Sequence, residues 1–289
     1  MVQVGFVGMG VMGAPMAGHI LDAGVPLVVY NRTREKTKDL SQRGAAVAET
    51  LAELGNRCGL VFLCVNRTED VRECLAELTR DAAAGTLFVD HSTISPRAAI
   101  EIHEELKAQG FRFVDAPITG GSMGAQVGAL TVFCGGEPRV IAEAKPTMAH
   151  YSKRIERVGG PGAGQRMKMA NQIAVGGALL ALCESLAFAE KAGLDLMQAR
   201  DLLAGGAAGS WAFENYGPKI LARDWSPGFS IHNQLKDLGY CEEAAAEVDA
   251  AIPGTLLVSR LLETMVAEGH GEWATAALFE LLAEKGFDD

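Results

Sequence analysis

Val4-Gly5-Phe6-Val7-Gly8-Met9-Gly10-Val11-Met12-Gly13 is the stretch whose reading decides the fold. A short apolar run enters a G-x-G-x-x-G turn, and Ala14-Pro15-Met16-Ala17 continues as a helix would. In such a strand–turn–helix the first glycine permits the tight turn. The second lets a pyrophosphate approach the backbone, and the third lets helix and strand pack closely. The helix start then offers N–H groups and the positive end of its dipole to the phosphates. The spacing alone is a weak signal; a strand before it and a β-α-β rhythm after it give it weight. Gly8, Met9, Gly10, Val11, Met12 and Gly13 are therefore candidate contacts to a dinucleotide.

Outward from this turn, short β-branched runs alternate with helical stretches as far as Gly162. The runs are Val2 to Val7, Leu27 to Tyr30, Leu60 to Val65, Thr86 to Asp90, Phe111 to Ala116 and Leu130 to Cys134. Several are apolar throughout, as strands buried on both faces of a parallel sheet must be. Segments such as Met12 to Ala23 and Thr68 to Arg80 have the length of crossover helices. After Gly162 the strand signal ends, and Ala, Leu and Glu dominate, with breaks at Gly193, Gly205-Gly206, Pro227-Gly228 and Pro253-Gly254. The expected fold is α/β: a Rossmann-like, doubly wound, mostly parallel sheet over 1–162, followed by an all-α domain over 163–289.

Composition narrows the function. The chain has 289 residues, 48% hydrophobic and 21% charged, which suits two folded domains and excludes a disordered chain. A net charge of −10 argues against nucleic acid or an anionic membrane as partner. The most apolar later run, Ile173 to Cys183, is too short to span a bilayer. Six cysteines stand singly without a C-x-x-C pair, which reads as reduced thiols and no metal site. No targeting signal is visible, so a cytoplasmic protein is expected.

The second strand bears on the cofactor. NAD-binding versions place an acid at its end to hold the ribose 2′-hydroxyl. Here the strand ends Tyr30-Asn31-Arg32-Thr33-Arg34. Arg32 can meet a 2′-phosphate with a bidentate guanidinium and Thr33 with a hydroxyl, while Asn31 remains a neutral partner for the ribose. The missing acid and the added arginine favour NADP; NAD stays open, since Arg32 and Arg34 could be ordinary surface charges. Val65-Asn66 and Asp90-His91-Ser92-Thr93 lie where ligands sit, outside the carboxyl ends of strands. Val65, Asn66 and Thr93 are candidate cofactor contacts. Ser92, Thr93 and Ser95-Pro96 also suit the start of a helix over Arg97 to Gln109, and His91 is read as structural.

Two further segments carry chemistry. In Asp115-Ala116-Pro117-Ile118-Thr119-Gly120-Gly121-Ser122, a hydroxyl followed by two glycines forms a loop whose N–H groups can converge on a carboxylate. Gly162-Ala163-Gly164-Gln165-Arg166-Met167-Lys168-Met169-Ala170-Asn171-Gln172 runs from a glycine turn into a helix. Lys168, Asn171 and Gln172 share one face of that helix, which looks buried nearly all round. Burial disfavours a charged amine, which makes such a lysine a usable general acid or base.

Taken together, these motifs resemble the β-hydroxyacid dehydrogenase family, relatives of 3-hydroxyisobutyrate dehydrogenase and tartronate semialdehyde reductase. The resemblance rests on Gly5 to Ala17, Asp115 to Gly121, Gly162 to Gln172, and Phe229 with Lys236-Asp237-Leu238, about four fifths of the chain. Met9 and Thr119 stand where the family often has leucine and serine. The resemblance implies that Lys168 is the catalytic lysine and that Asn171 assists it. It implies that Thr119, Gly120, Gly121, Lys168 and Asn171 hold the substrate, with Phe229 and Asp237 beside it. Thr93 and Lys236 match cofactor contacts. The implied reaction is hydride transfer between nicotinamide and a short 3-hydroxy acid or its semialdehyde, of 3-hydroxyisobutyrate or 2-hydroxy-3-oxopropionate type.

Other readings stay in view. One is an NADPH-dependent glyoxylate or succinic semialdehyde reductase; another is a non-catalytic NADP-binding module. Tyr151 with Lys153 and Tyr216 with Lys219 lack the Y-x-x-x-K spacing of short-chain dehydrogenases. Imine reductases resemble this architecture without the lysine, and 6-phosphogluconate enzymes are much longer. Small residues at Gly206-Ala207-Ala208-Gly209-Ser210 suggest a compact substrate bearing a carboxylate, with Trp211 either over it or packed between helices. The apolar 163–192 segment points to a homodimer or homotetramer.

Overall fold

The computed structural model describes residues 3–284. Val2, expected in the first strand, and 285–289, expected in the helical domain, lie outside the described residues. The chain divides into two compact units, 1–168 and 169–289.

Among the described residues the first unit is built on nine strands: β1 (Val4–Val7), β2 (Leu27–Tyr30), β3 (Ala46–Val47), β4 (Leu60–Leu63), β5 (Leu87–Asp90), β6 (Arg112–Asp115), β7 (Ile118–Thr119), β8 (Leu130–Gly135) and β9 (Ser152–Gly159). They line up as β3-β2-β1-β4-β5-β6-β8-β7, with β9 also paired to β8. The six strands from β3 to β6 are parallel, and β8 runs antiparallel to β6 and β7. The strand order reverses between β1 and β4, where such sheets bind ligands. Alternate side chains feed opposite cores. Phe6, Val29, Phe62 and Val89 pack on one face, and Val7, Val28, Val61 and Phe88 on the other. This is the doubly wound α/β architecture expected of the apolar runs.

Three strands escape the sequence reading. β3 and β7 are two residues each, too short for any period. β9 reads Ser-Lys-Arg-Ile-Glu-Arg-Val-Gly, and four of its charged side chains are exposed. Charge on an outlying strand blunts unwanted edge pairing, and it also hides the strand from a hydrophobic pattern.

The second unit is helical, as expected. After the long helix Ala163–Lys191 come Leu196–Ala204, Trp211–Asn215, Gly217–Leu221, Ile231–Glu247, Pro253–Ala267 and Leu278–Glu284. Gly193, Gly205 and Pro253 fall at helix ends, where their backbone preferences place them. Leu179, Leu182, Cys183 and Leu186 pack against Ile231, Leu238, Val258 and Leu262.

The long helix corrects two expectations. It is not buried all round: Met167, Ala170, Ala174, Gly177, Ala181 and Phe188 are exposed, because one face is made of small or unpartnered apolar residues. And the apolar stretch is not confined to Ile173 to Cys183. The helix has 29 residues and by length and composition is apolar enough to cross a membrane, although 44% of its most apolar stretch is buried inside the protein. A core helix can be as long and as apolar.

Candidate active site

The glycine turn obeys steric demands of its own. Gly8 has a φ of 98°, and a Cβ there would stand 2.2 Å from the Cys64 carbonyl oxygen. A Cβ on Gly13 would meet the Gly8 carbonyl oxygen at 1.9 Å, so only glycine lets the helix start this close to the strand. Gly10 differs, since a Cβ there would meet nothing within 4 Å. The protein's own packing does not require that glycine, whereas a pyrophosphate lying against the backbone would. The helix Gly13–Asp22 starts at Met12 without a side-chain cap, which suits a start that receives phosphate. The turn therefore fits a dinucleotide.

Asn31 braces this turn. Its Oδ1 accepts from the Met9 N–H at 2.8 Å and its Nδ2 donates to the Thr33 carbonyl at 2.8 Å. Both arms of the amide thus serve the loop itself. Arg32 reaches outward with 89% of its side chain exposed, and its nearest carboxylate is Asp70 at 3.9 Å. Thr33 is exposed beside it, while Arg34 is bound to Glu49. The ends of β4 and β5 are tied together: the Val65 N–H donates to Ser92 Oγ at 2.9 Å, and the Ser92 N–H to Asp90 Oδ1 at 2.9 Å. Asn66 is exposed and Thr93 half-buried at this edge.

His91, between them, turns inward. Its ring contacts the Ala116 carbonyl at 2.6 Å and the Tyr151 hydroxyl at 2.8 Å, and lies parallel to Phe62. Burial pushes it down to about 4, so it stays neutral and serves the core. That agrees with its structural reading.

Lys168 is buried, 8% exposed, and its Nζ donates to the Ile118 carbonyl at 2.9 Å. The ammonium therefore sits at the entrance of the Thr119-Gly120-Gly121 loop. Gly120 and Gly121 hold φ values of 126° and 64°, which bend the loop sharply.

Two residues without an assigned role in the sequence hold this lysine's helix in place. Asp115, at the end of β6, accepts from the Gly162 N–H through Oδ1 at 2.8 Å and from the Gln165 N–H through Oδ2 at 3.0 Å. Its carboxylate fills space that glycines leave: a Cβ at Gly135 would come within 2.4 Å of Oδ1, and one at Gly164 within 2.8 Å of Oδ2. Burial raises Asp115 to about 6, against the pull of these N–H donors. Gln165, fully buried, accepts from the Ile94 N–H at 3.2 Å and donates to the Ser92 carbonyl at 2.8 Å. Lys168 lies one turn beyond both anchors. An acid ending a buried strand was the one signal that could have marked Asp115.

The second unit gathers its own cluster. Asn171 Nδ2 donates to Gln172 Oε1 at 2.9 Å, Gln172 Nε2 donates to Asp237 Oδ2 at 2.7 Å, and Lys236 Nζ pairs with Asp237 Oδ1 at 3.0 Å. Phe229 is half-buried, with its carbonyl accepting from the Thr275 N–H at 3.2 Å. Trp211 is half-exposed and packs edge-on against Tyr216. Among the described residues no group of three or more His, Cys, Asp or Glu could hold a metal.

Two family models divide the chain between them. Residues 3–160 match the NAD-binding domain of 6-phosphogluconate dehydrogenase. Residues 162–282 match the NAD-binding region of NADP-dependent 3-hydroxyisobutyrate dehydrogenase. The chain belongs to the β-hydroxyacid dehydrogenase family. It is 36% identical to a probable 3-hydroxyisobutyrate dehydrogenase-like 1, mitochondrial, of Arabidopsis thaliana, across 96% of this chain and 84% of the relative. It is 34% identical to the 2-hydroxy-3-oxopropionate reductase of Escherichia coli, across 97% of each. Among solved structures it is similar to 3-hydroxyisobutyrate dehydrogenase of Mycobacterium tuberculosis with L-serine, with a TM-score of 0.88 at 28% identity over 98% of this chain and 99% of that one. A β-hydroxyacid dehydrogenase is an NAD(P)-dependent oxidoreductase acting on a CH–OH group, and the glycine turn fits that cofactor.

Proposed function

We propose that this β-hydroxyacid dehydrogenase interconverts a short 3-hydroxy acid and its semialdehyde, of 3-hydroxyisobutyrate or 2-hydroxy-3-oxopropionate type, with Lys168 as general acid and base. The observation that carries the reading is the buried Lys168 ammonium at 2.9 Å from the Ile118 carbonyl, at the mouth of a loop able to receive a carboxylate. The nicotinamide, when bound, supplies or accepts the hydride at the carbon that carries the oxygen. During reduction Lys168 Nζ gives a proton to the developing alkoxide; during oxidation it takes the proton back. The N–H groups of Gly120 and Gly121 and the Thr119 hydroxyl hold the substrate carboxylate, which fixes how far the reacting carbon lies from the lysine. Asn171, three residues along the same helix, steadies the substrate hydroxyl or the lysine ammonium. Phe229 and Asp237 border the substrate.

Gly8 to Gly13 receive the pyrophosphate. Val65, Asn66, Thr93 and Lys236 contact the rest of the cofactor. Arg32 and Thr33 select NADP by meeting its 2′-phosphate, and the extended, largely exposed Arg32 supports that choice. The enzyme works as a homodimer or homotetramer of cytoplasmic chains; Phe188, Leu194, Met197 and Leu202 in the second unit are all more than half exposed, and a second copy would cover them. Light scattering of the purified protein at the mass of one chain would refute that assembly.

The deciding experiment is steady-state oxidation of NADPH and NADH against tartronate semialdehyde, methylmalonate semialdehyde, succinic semialdehyde and glyoxylate, with serine and 3-hydroxyisobutyrate in reverse. One of the first two semialdehydes, or its alcohol, should exceed the others by orders of magnitude in kcat/KM. A winner among glyoxylate and succinic semialdehyde would replace the proposed substrate class. No turnover with any of them would overturn the catalytic reading.

A further inference from the structure

The Asn171 side chain carries one arm that accepts hydrogen bonds and one that donates them, and its use depends on which arm faces the reacting oxygen. Nothing in the amide's own shape decides this. The neighbouring groups do.

Asp237 is 2% exposed and a carboxylate accepts only, so the Gln172 arm 2.7 Å from its Oδ2 must be the NH2. The other oxygen pairs with the Lys236 ammonium at 3.0 Å. Gln172, itself 3% exposed, therefore presents Oε1 on its other arm, and that oxygen accepts from Asn171 Nδ2 at 2.9 Å. The direction runs one way along the chain Lys236, Asp237, Gln172, Asn171. Because an amide is planar, the Asn171 carbonyl oxygen then faces away from Gln172.

We propose that Gln172 is a positioning residue: anchored by Asp237, it fixes the Asn171 amide so that its oxygen, not its NH2, is offered to the reacting hydroxyl. This rests on the proposed function, since it names what holds Asn171 for that reaction. An oxygen so placed accepts from a substrate hydroxyl or from the protonated lysine. A flipped amide would put an NH2 against the same donors and repel them.

The test is a double-mutant cycle with Gln172→Met, which keeps the length of the side chain and removes its hydrogen bonds, against Asn171→Ala. Gln172→Met alone should lower kcat about tenfold, a loss of about 1.4 kcal/mol, with the KM for the cofactor unchanged. In the Asn171→Ala background the same change should move kcat less than about twofold. Equal losses in both backgrounds, or wild-type kcat in the single variant, would overturn the proposal. If Gln172→Met does not fold, Asp237→Asn takes its place in the cycle: silence in the Asn171→Ala background supports the relay, and an undiminished loss means that Asp237 acts on the substrate directly.

A second readout separates this proposal from the function it rests on. In protein carrying 15N-asparagine, the Asn171 side-chain NH2 signals are assigned by their loss in Asn171→Asp. They should shift and exchange faster with water in Gln172→Met, whether or not any hydroxy acid is turned over. Unchanged signals would overturn the relay; shifted signals in an enzyme inactive toward every substrate tried would leave the relay standing and sink the substrate assignment.

Discussion

Arg32 and Lys168 are both cations on the first unit, and the protein treats them in opposite ways. Arg32 stands 89% exposed, with one carboxylate at 3.9 Å. Lys168 is 8% exposed and donates to a carbonyl, at the end of a helix turn pinned by Asp115 and Gln165. A mobile, solvated cation can contribute affinity and choice between phosphates, but screening limits its strength. A buried, oriented one can lower the barrier itself, the part proposed for Lys168. The difference predicts that damage at one end appears in kcat and at the other in KM.

The largest effect should come from Lys168→Ala, with kcat lowered about a hundredfold or more and cofactor binding retained. Cofactor fluorescence titration and single-turnover rates check both halves, and near-wild-type turnover would dissolve the contrast. Lys168→Arg should rescue little, because a guanidinium does not give up its proton.

Next in size is Asp115→Asn. It places an NH2 against one of two N–H groups, and the unsatisfied donor should cost about 1–3 kcal/mol, read as a shift in denaturant midpoint at pH 7. Its pH dependence sharpens the point. Burial raises Asp115 to about 6 in the folded chain, above the ordinary 3.8. Between those values the folded state holds a proton that the unfolded state has released, so this group adds stability as pH falls from about 6 towards 4. The adjacent Cys134 thiol, pushed up to about 12 by burial and then by Asp115 itself, stays neutral throughout. Wild type should therefore gain on Asp115→Asn on acidification through this window, and a constant gap would remove Asp115 as the titrating group.

Arg32→Ala should be smaller, raising the KM for NADPH about tenfold, leaving NADH nearly unchanged, and losing its effect in high salt. An unchanged cofactor ratio would mean that Arg32 is surface charge. The smallest effect belongs to Asp70→Asn. Removing the carboxylate that shares Arg32 should tighten NADPH about two- to threefold, within the worth of an exposed ion pair.

The same contrast explains what the sequence disclosed. The glycine turn and the burial of Lys168 were legible because each depends on neighbours within one or two helix turns: Gly8, Gly10 and Gly13 in one case, the Gly162 to Gln172 segment in the other. The buried strands were legible because both faces demand apolar residues. β9 was not, since its exposed Lys153, Arg154, Glu156 and Arg157 mask Ile155 and Val158. Asp115 as an anchor was not, because its donors lie 47 and 50 residues away. Gln172 reads locally as a helix residue and gains its meaning from Asp237, 65 residues on. Position along a helix can be read from spacing; which way an amide faces cannot.

The Asp115 clamp also dictates an order of assembly. The long helix borrows its N-terminal acceptor from a strand in mid-sheet, and two of the glycines that make room for it, Gly135 and Gly164, flank it from other segments. A nascent chain can wind Ala163–Lys191 early from local propensity, yet its first turn has no carboxylate to hold it until β6 and β8 have joined the sheet. Contacts of such sequence separation form slowly. The lysine is thus seated by one of the later events of folding, and a refolding experiment should recover helical signal before it recovers turnover.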